Sequence, residues 1–276
     1  MSKALLAGIL VLLLSTSADG FEIGSSRRVA AGGAVLLSSP VAGDLVDYPA
    51  VLLERNSFAI ESGFERRFEL SDLDRIYLSA GYRLGDFSLG AGVSQRGQEN
   101  YYLERVNRGS VSYHTGLVSL GASVSAKSIE IGEGYGNFSE VSFGLGGGLR
   151  YDILHLAVSV DNINQPRLDK SAPRENLLTS FLAELTGGPK VFLLGKAVME
   201  KSEKPRLALA QYIRLMEAHA LIWNITGNPL TYGGGLEIRY SGFAISYSAS
   251  YHPTLGFSHN AALAYSFSPS NKRNKR

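Results

Sequence analysis

Apolar side chains recur at every second position in segment after segment of this chain. That period of two limits its possible folds more than any other feature. In YGGGLEIRYSGFAISYSASY, residues 232–251, one face of the second half carries Phe243, Ile245, Tyr247, Ala249 and Tyr251. The opposite face carries only Ala244, Ser246, Ser248 and Ser250. The same alternation places Ile76, Leu78, Ala80, Tyr82 and Leu84 together, and again Val118, Leu120, Ala122 and Val124. Extended strands send successive side chains to opposite faces, so this is a strand signature. Only 176–185, NLLTSFLAEL, can also be read as a short helix.

Fourteen candidate strands follow: about 57–67, 74–84, 87–96, 109–116, 118–127, 140–151, 153–162, 176–186, 189–199, 205–213, 217–225, 231–240, 242–251 and 258–267. Most are about ten residues, enough to cross a bilayer at a tilt, where soluble strands average about 5–6. Short links (85–86, 115–117, 151–152, 186–189, 214–217, 241–242) alternate with longer ones (68–73, 97–108, 128–139, 163–175, 200–204, 226–230, 252–257). That alternation fits an up-and-down barrel with short periplasmic turns and longer outer loops, and a Greek-key sandwich gives no reason for it. The expected fold is therefore all-β: a single antiparallel up-and-down transmembrane β-barrel of about 14 strands. Its apolar faces meet outer-membrane lipid. Gly, Ser, Ala and the charged Arg83, Lys127, Arg150, Glu237 and Arg239 face the lumen. Tyr82, Tyr151, Tyr240 and Tyr251 stand near strand ends, where interfacial aromatic girdles belong.

The N-terminus adds a compartment. A basic MSK, the apolar run ALLAGILVLLL and the small residues STSADG read as a secretory signal peptide over 1–20, cleaved before Phe21. No later apolar run approaches the roughly 18 residues of a spanning helix. The chain has no cysteine, which removes disulfides, thiolate metal sites and lipoprotein anchoring. Net charge is +2, with four positive charges in the tail at 268–276, so the remainder is slightly acidic and unsuited to nucleic acid. Residues 21–56 are apolar, contain Pro40 and Pro49, and lack clean alternation. With small residues lining the lumen, this segment is expected to fold inside as a plug or hatch, followed by the barrel over 57–267.

Three stretches carry a family likeness. GDLVDYPAVL (43–52), with Tyr48, Pro49 and Ala50, resembles an early NPAGL segment of the FadL superfamily, in particular its PorV/PorQ-like branch. VSVDNINQP (158–166), with Asn162 and Pro166, is similar to a mid-barrel NLGQP segment. YHPTLGFSHNAALAYSF (251–267), with His252, Leu255, Gly256 and His259, is similar to the closing pattern and is the most specific of the three. Tyr48 stands where the family usually has Asn, and Val51 where it usually has Gly. The resemblance implies a fourteen-stranded barrel with an N-terminal hatch. It implies one of two roles: a scaffold or shuttle for a secreted protein in type IX secretion, or uptake of fatty acids or other hydrophobic small molecules.

Nothing in the sequence points to catalysis or a cofactor. His252 and His259 lack further ligands for a metal nearby. Ser112 and His114 share a strand face, but serine is too common for that spacing to define a hydrolase dyad. GLGGGL (144–149) lies within a strand rather than between a strand and a helix, so it is no phosphate loop.

Overall fold

The computed structural model describes residues 22–53, 57–99, 101–132, 136–168, 173–201 and 203–268. The expected signal peptide over 1–20, Phe21, residues 54–56 and the tail beyond Ser268 lie outside the described residues. Fourteen antiparallel strands follow one another around a closed barrel. They are β1 (Phe58–Arg66), β2 (Arg75–Leu84), β3 (Phe87–Gln98), β4 (Tyr102–Thr115), β5 (Val118–Ile131), β6 (Gly136–Tyr151) and β7 (Leu154–Asp161), followed by β8 (Leu178–Thr186), β9 (Val191–Glu200), β10 (Arg206–Arg214), β11 (His219–Gly227), β12 (Thr231–Tyr240), β13 (Phe243–His252) and β14 (Gly256–Phe267). Strand β1 closes on β14, with Phe58 opposite Phe267 and Arg66 opposite His259. Closure leaves no unpaired strand edge, which is what a backbone surrounded by hydrocarbon requires.

The alternation has its cause in this wall. In β2, Ile76, Leu78, Tyr82 and Leu84 are exposed, while Arg75, Tyr77, Ser79 and Arg83 are buried. Exposed Phe243, Ile245, Tyr247 and Tyr251 form the outer face of β13, and Ser248 is fully buried on its inner face. Aromatic residues collect at strand ends. Phe87 and Tyr113 pair at 4.9 Å, Phe243 and Tyr265 at 4.8 Å, and Tyr251 and Phe257 at 5.0 Å between ring centroids. No helix among the described residues is long and apolar enough to cross a membrane.

The strand order and the short turns agree with the sequence reading; several lengths do not. The expected loops 97–108 and 128–139 are mostly strand, because β3 to β6 run on as long hairpins. Their outer parts carry charge on both faces, as in Glu104–Arg105 and Lys127–Glu130, so no apolar period betrays them. They are held by the backbone ladder and by cross-strand pairs such as Arg105–Glu130 at 3.6 Å and Arg96–Glu104 at 3.4 Å. The link at 252–257 is likewise tighter than expected, since His252 pairs with Gly256 across a turn of 253–255. Residues 178–186 are strand rather than helix.

Residues 22–53 touch the inward faces of strands all around the barrel. Two short helices, α1 (Ser26–Ala30) and α2 (Ala42–Asp47), interrupt an otherwise irregular path. Ala30, Ala31, Ala34 and Leu36 pack on Phe192, Leu194, Tyr212 and Ile222 of β9 to β11. Ile23 and Val46 meet Tyr77, Val106 and Ala262 on the other side. The inward face of β8 to β11 therefore carries large apolar residues beside the buried Glu184 and Lys196, where the sequence reading places only small and charged ones. These strands need large inward side chains because the segment beside them is apolar. Burying that surface supplies about 25 cal/mol per Å².

Candidate functional site in the barrel lumen

The lumen is where polar chemistry concentrates, and its organising groups come from the N-terminal segment. Arg27 in α1 forms a two-pronged ion pair with Glu237 of β12 at 3.0–3.2 Å. Glu237 also accepts from Arg239 at 2.5 Å and from the Tyr212 hydroxyl at 3.2 Å. Arg28, one residue on, turns to the opposite wall and pairs with Asp47 at the end of α2. Asp47 in turn accepts the Ile23 amide at 3.0 Å and faces Arg108 of β4 at 3.7 Å, and Arg108 also binds Asp161 of β7. Adjacent arginines thus reach opposite sides of the barrel, and each finds a buried carboxylate.

Backbone contacts complete the seat. Arg83 donates to the Leu53 carbonyl at 2.7 Å, and Arg150 donates to those of Leu37 and Leu52 at 2.5 and 3.4 Å. Glu61 accepts the Ser26 amide at 3.0 Å, and Glu184 accepts the Ser38 amide at 2.9 Å. An irregular segment within a membrane barrel must place its amides and carbonyls somewhere, and charged wall side chains supply the partners. Small wall residues supply the room. A Cβ on Gly146 would lie 3.0 Å from the Ala50 amide nitrogen, and one on Gly235 would lie 2.8 Å from the Ala30 Cβ. The glycine run 144–149 is therefore the bed on which Pro49 and Ala50 lie.

The family-signature residues fall into three separate places. Tyr48 is buried in the lumen; its hydroxyl donates to Glu22 at 3.2 Å, and Arg28 and Lys196 approach its ring at 5.4 and 5.6 Å. Beside it, the Ala50 carbonyl accepts from Ser119 at 2.7 Å. Asn162, past the end of β7, accepts from Lys127 at 3.2 Å and from Ser142 at 2.7 Å, while the Pro166 carbonyl accepts the Glu175 amide at 2.9 Å. Lys127 also binds Glu140 and Glu175, at 3.2 and 2.6 Å. His252 accepts the amides of Thr254 and Leu255 at 3.2 Å each, shaping the turn before Gly256, whose φ is +90°. His259 points outward and meets the Tyr247 hydroxyl at 2.7 Å. Ser112 and His114 both face inward, and the Ser112 hydroxyl has no hydrogen-bond partner among the described residues.

The sequence reading does not single out Arg27, Arg28, Asp47, Arg108 or Asp161. The adjacent arginines in GSSRRVAAGG are the available signal, since two full charges in an apolar segment need buried partners. Arg108 is hidden within a stretch that reads as loop.

Cavities remain at both ends of the segment. One of about 450 Å³ at the turn end is bordered by Arg27, Ser39 and Arg239. Two at the loop end measure about 220 and 320 Å³; charged residues make up most of the lining of the larger, and Arg28, Arg67, Arg75, Lys196 and Arg206 are among those of the smaller.

No protein-family model matches the chain, and no curated protein does. Among solved structures it is similar to a mutant of Rh. blastica porin, with 11% identity, 76% of this chain and 99% of that chain covered, and a TM-score of 0.45. A triple mutant of Rhodopseudomonas blastica porin aligns at 12% identity with a TM-score of 0.44, covering 76% of this chain and 99% of its own. Likeness at this level identifies neither solute nor partner, and the functional reading rests on the chain's own residues.

Proposed function

We propose that the chain is an outer-membrane β-barrel of PorV/PorQ-like type that works with its lumen shut, as a non-catalytic scaffold or shuttle presenting its loop end to a secreted protein. The observation that carries this reading is the seating of residues 22–53. They are pinned to opposite walls by Arg27–Glu237 and Arg28–Asp47–Arg108, and their carbonyls are held by Arg83 and Arg150. Arg27–Glu237 joins segment to wall by hydrogen bonds, and Asp47 faces the wall's Arg108 at 3.7 Å. Leaving a buried charge without its partner costs about 3–5 kcal/mol, so displacement of the segment is opposed at both walls. Purified full-length protein in planar bilayers is expected to give no steady conductance, and mild-detergent extracts of outer membranes should yield a stoichiometric secreted protein. Steady porin-like conductance from the intact chain would sink the scaffold reading.

A second reading, FadL-like uptake of fatty acids or other hydrophobic small molecules, draws support from the cavities at both ends of the segment. Displacing the segment would join them. The mostly charged lining of the larger loop-end cavity suits such cargo poorly. Copurified lipid, identified by mass spectrometry and lost when residues 22–53 are tethered to the wall, would favour uptake.

A further inference from the structure

The smaller loop-end cavity, about 220 Å³, has a composition that closure alone does not explain. It is lined from the loop residues Phe68 and Pro229 and from His252 at the end of β13 down to Gly33 and Arg28 of the lumenal segment. Five cationic side chains, Arg28, Arg67, Arg75, Lys196 and Arg206, border it together with the acidic Glu22 and Glu65, and Asp47 behind the lining pairs with Arg28. Glu65 is held tightly by Arg75 at 2.5 Å and Arg67 at 2.7 Å. Glu22 sits more loosely, 3.5 Å from Arg28 and 3.6 Å from Lys196. The wall is rich in donors. Arg28 Nη1 and Arg75 Nε have no hydrogen-bond acceptor among the described residues.

We propose that this vestibule binds a small soluble phosphate or phosphate monoester. Guanidinium forks match the geometry of phosphate oxygens, and a compact dianion supplies the acceptors that Arg28 Nη1 and Arg75 Nε lack among the described residues. The location selects the source. Most of the lining comes from the lumenal segment, inward strand faces and the loops at the barrel mouth, and the closed strand wall stands between it and the bilayer, which favours a soluble source over a lipid headgroup. Arg28 belongs to the lumenal segment, while Arg75 and Lys196 belong to β2 and β9. A phosphate between them would join segment to wall, so its binding would tighten the closure. The inference holds whether the barrel serves as scaffold or as uptake channel.

The test is calorimetric titration of full-length barrel in detergent with inorganic phosphate and with glycerol phosphate, against sodium chloride at matched ionic strength. Saturable binding of either phosphate, with slower proteolysis of residues 22–53, is the expected result. Arg75→Gln should weaken binding by about tenfold or more, the value of one charge-assisted hydrogen bond. Lys196→Gln, which leaves the Arg75–Glu65 pair in place, should also weaken it and guards against a folding defect in the first variant. A cold-gel band shift, the difference in migration between unboiled and boiled chain, reports that each variant is folded. Heat no greater than that of chloride, or affinity unchanged in both folded variants, overturns the proposal.

Discussion

Arg27 and Glu237 lie 210 positions apart in the chain and meet through three contacts of 3.0–3.2 Å inside the lumen. Both are almost wholly buried, so neither can be lost without leaving charge stranded. The two losses are unequal. Glu237→Gln leaves Arg27 facing Arg239 with no carboxylate between them and should cost about 3–5 kcal/mol. Arg27→Met leaves Glu237 still paired with Arg239 at 2.5 Å and should cost less. Chemical-denaturant midpoints of the cold-gel band shift would rank the two variants. Equal loss would show that Arg239 shares none of the neutralisation.

Gly146 and Gly147 are neighbours on β6 that face opposite solvents. A Cβ on Gly146 meets Ala50 at 3.0–3.1 Å, whereas on Gly147 the nearest atom is Val158 Cγ1 at 3.8 Å, on the outer face. Gly146→Leu should therefore overpack the seat of Pro49–Ala50 by about 1–3 kcal/mol and raise protease cleavage within residues 22–53. Gly147→Leu should leave cleavage unchanged, because its side chain enters lipid. The same cleavage rate in both variants would mean that the segment does not rest on this strand.

What was legible in the sequence was whatever the bilayer dictates. Lipid on one side and small residues on the other forced the period of two, and so revealed strand order, turns and both faces of β2, β6 and β13. Where the bilayer stops dictating, the pattern stops too. The outer halves of β4 and β5 are charged on both faces and read as loop, and β9 is apolar on both faces because Ala30–Leu36 lies against Phe192 and Leu194. The ion pairs that fix the lumenal segment, Arg28–Asp47 and Arg27–Glu237, join positions 19 and 210 residues apart, with no local spacing to announce them. The signature residues His252, Leu255 and Gly256 turn out to shape one tight turn, and His259 belongs to an outer aromatic cluster.

Acid should release the lumenal segment only at very low pH. Burial by itself pushes the Asp47 carboxyl up, but Arg28, Arg108 and the Ile23 amide outweigh it, and the group lies below the usual carboxylate range. A carboxylate depressed on folding stabilises above its unfolded pKa, about 3.9, and that stabilisation is lost as pH falls through the folded value. Protease resistance of residues 22–53 should therefore persist through pH 5 and fail only below about 3.9. In Asp47→Asn the resistance should already be reduced at neutral pH, with no further transition assignable to this site. Release near pH 6 in the parent protein would point to a different lock.

His252 governs the β13–β14 turn without governing the barrel. Its Nδ1 accepts from Thr254 and Leu255 at 3.2 Å each, and these bonds are local. Each is worth about 0.5–1.5 kcal/mol, so His252→Ala should speed amide exchange at Thr254 and Leu255 by roughly tenfold. The other strand pairings do not depend on it, and the band-shift midpoint should stay where it is. His259→Ala removes an outward contact to Tyr247 and should leave exchange at the turn untouched. Exchange by mass spectrometry on both variants separates the roles of the two histidines. Faster turn exchange in His259→Ala would show that the outer Tyr247–His259 cluster, rather than His252, holds the closing hairpin in shape.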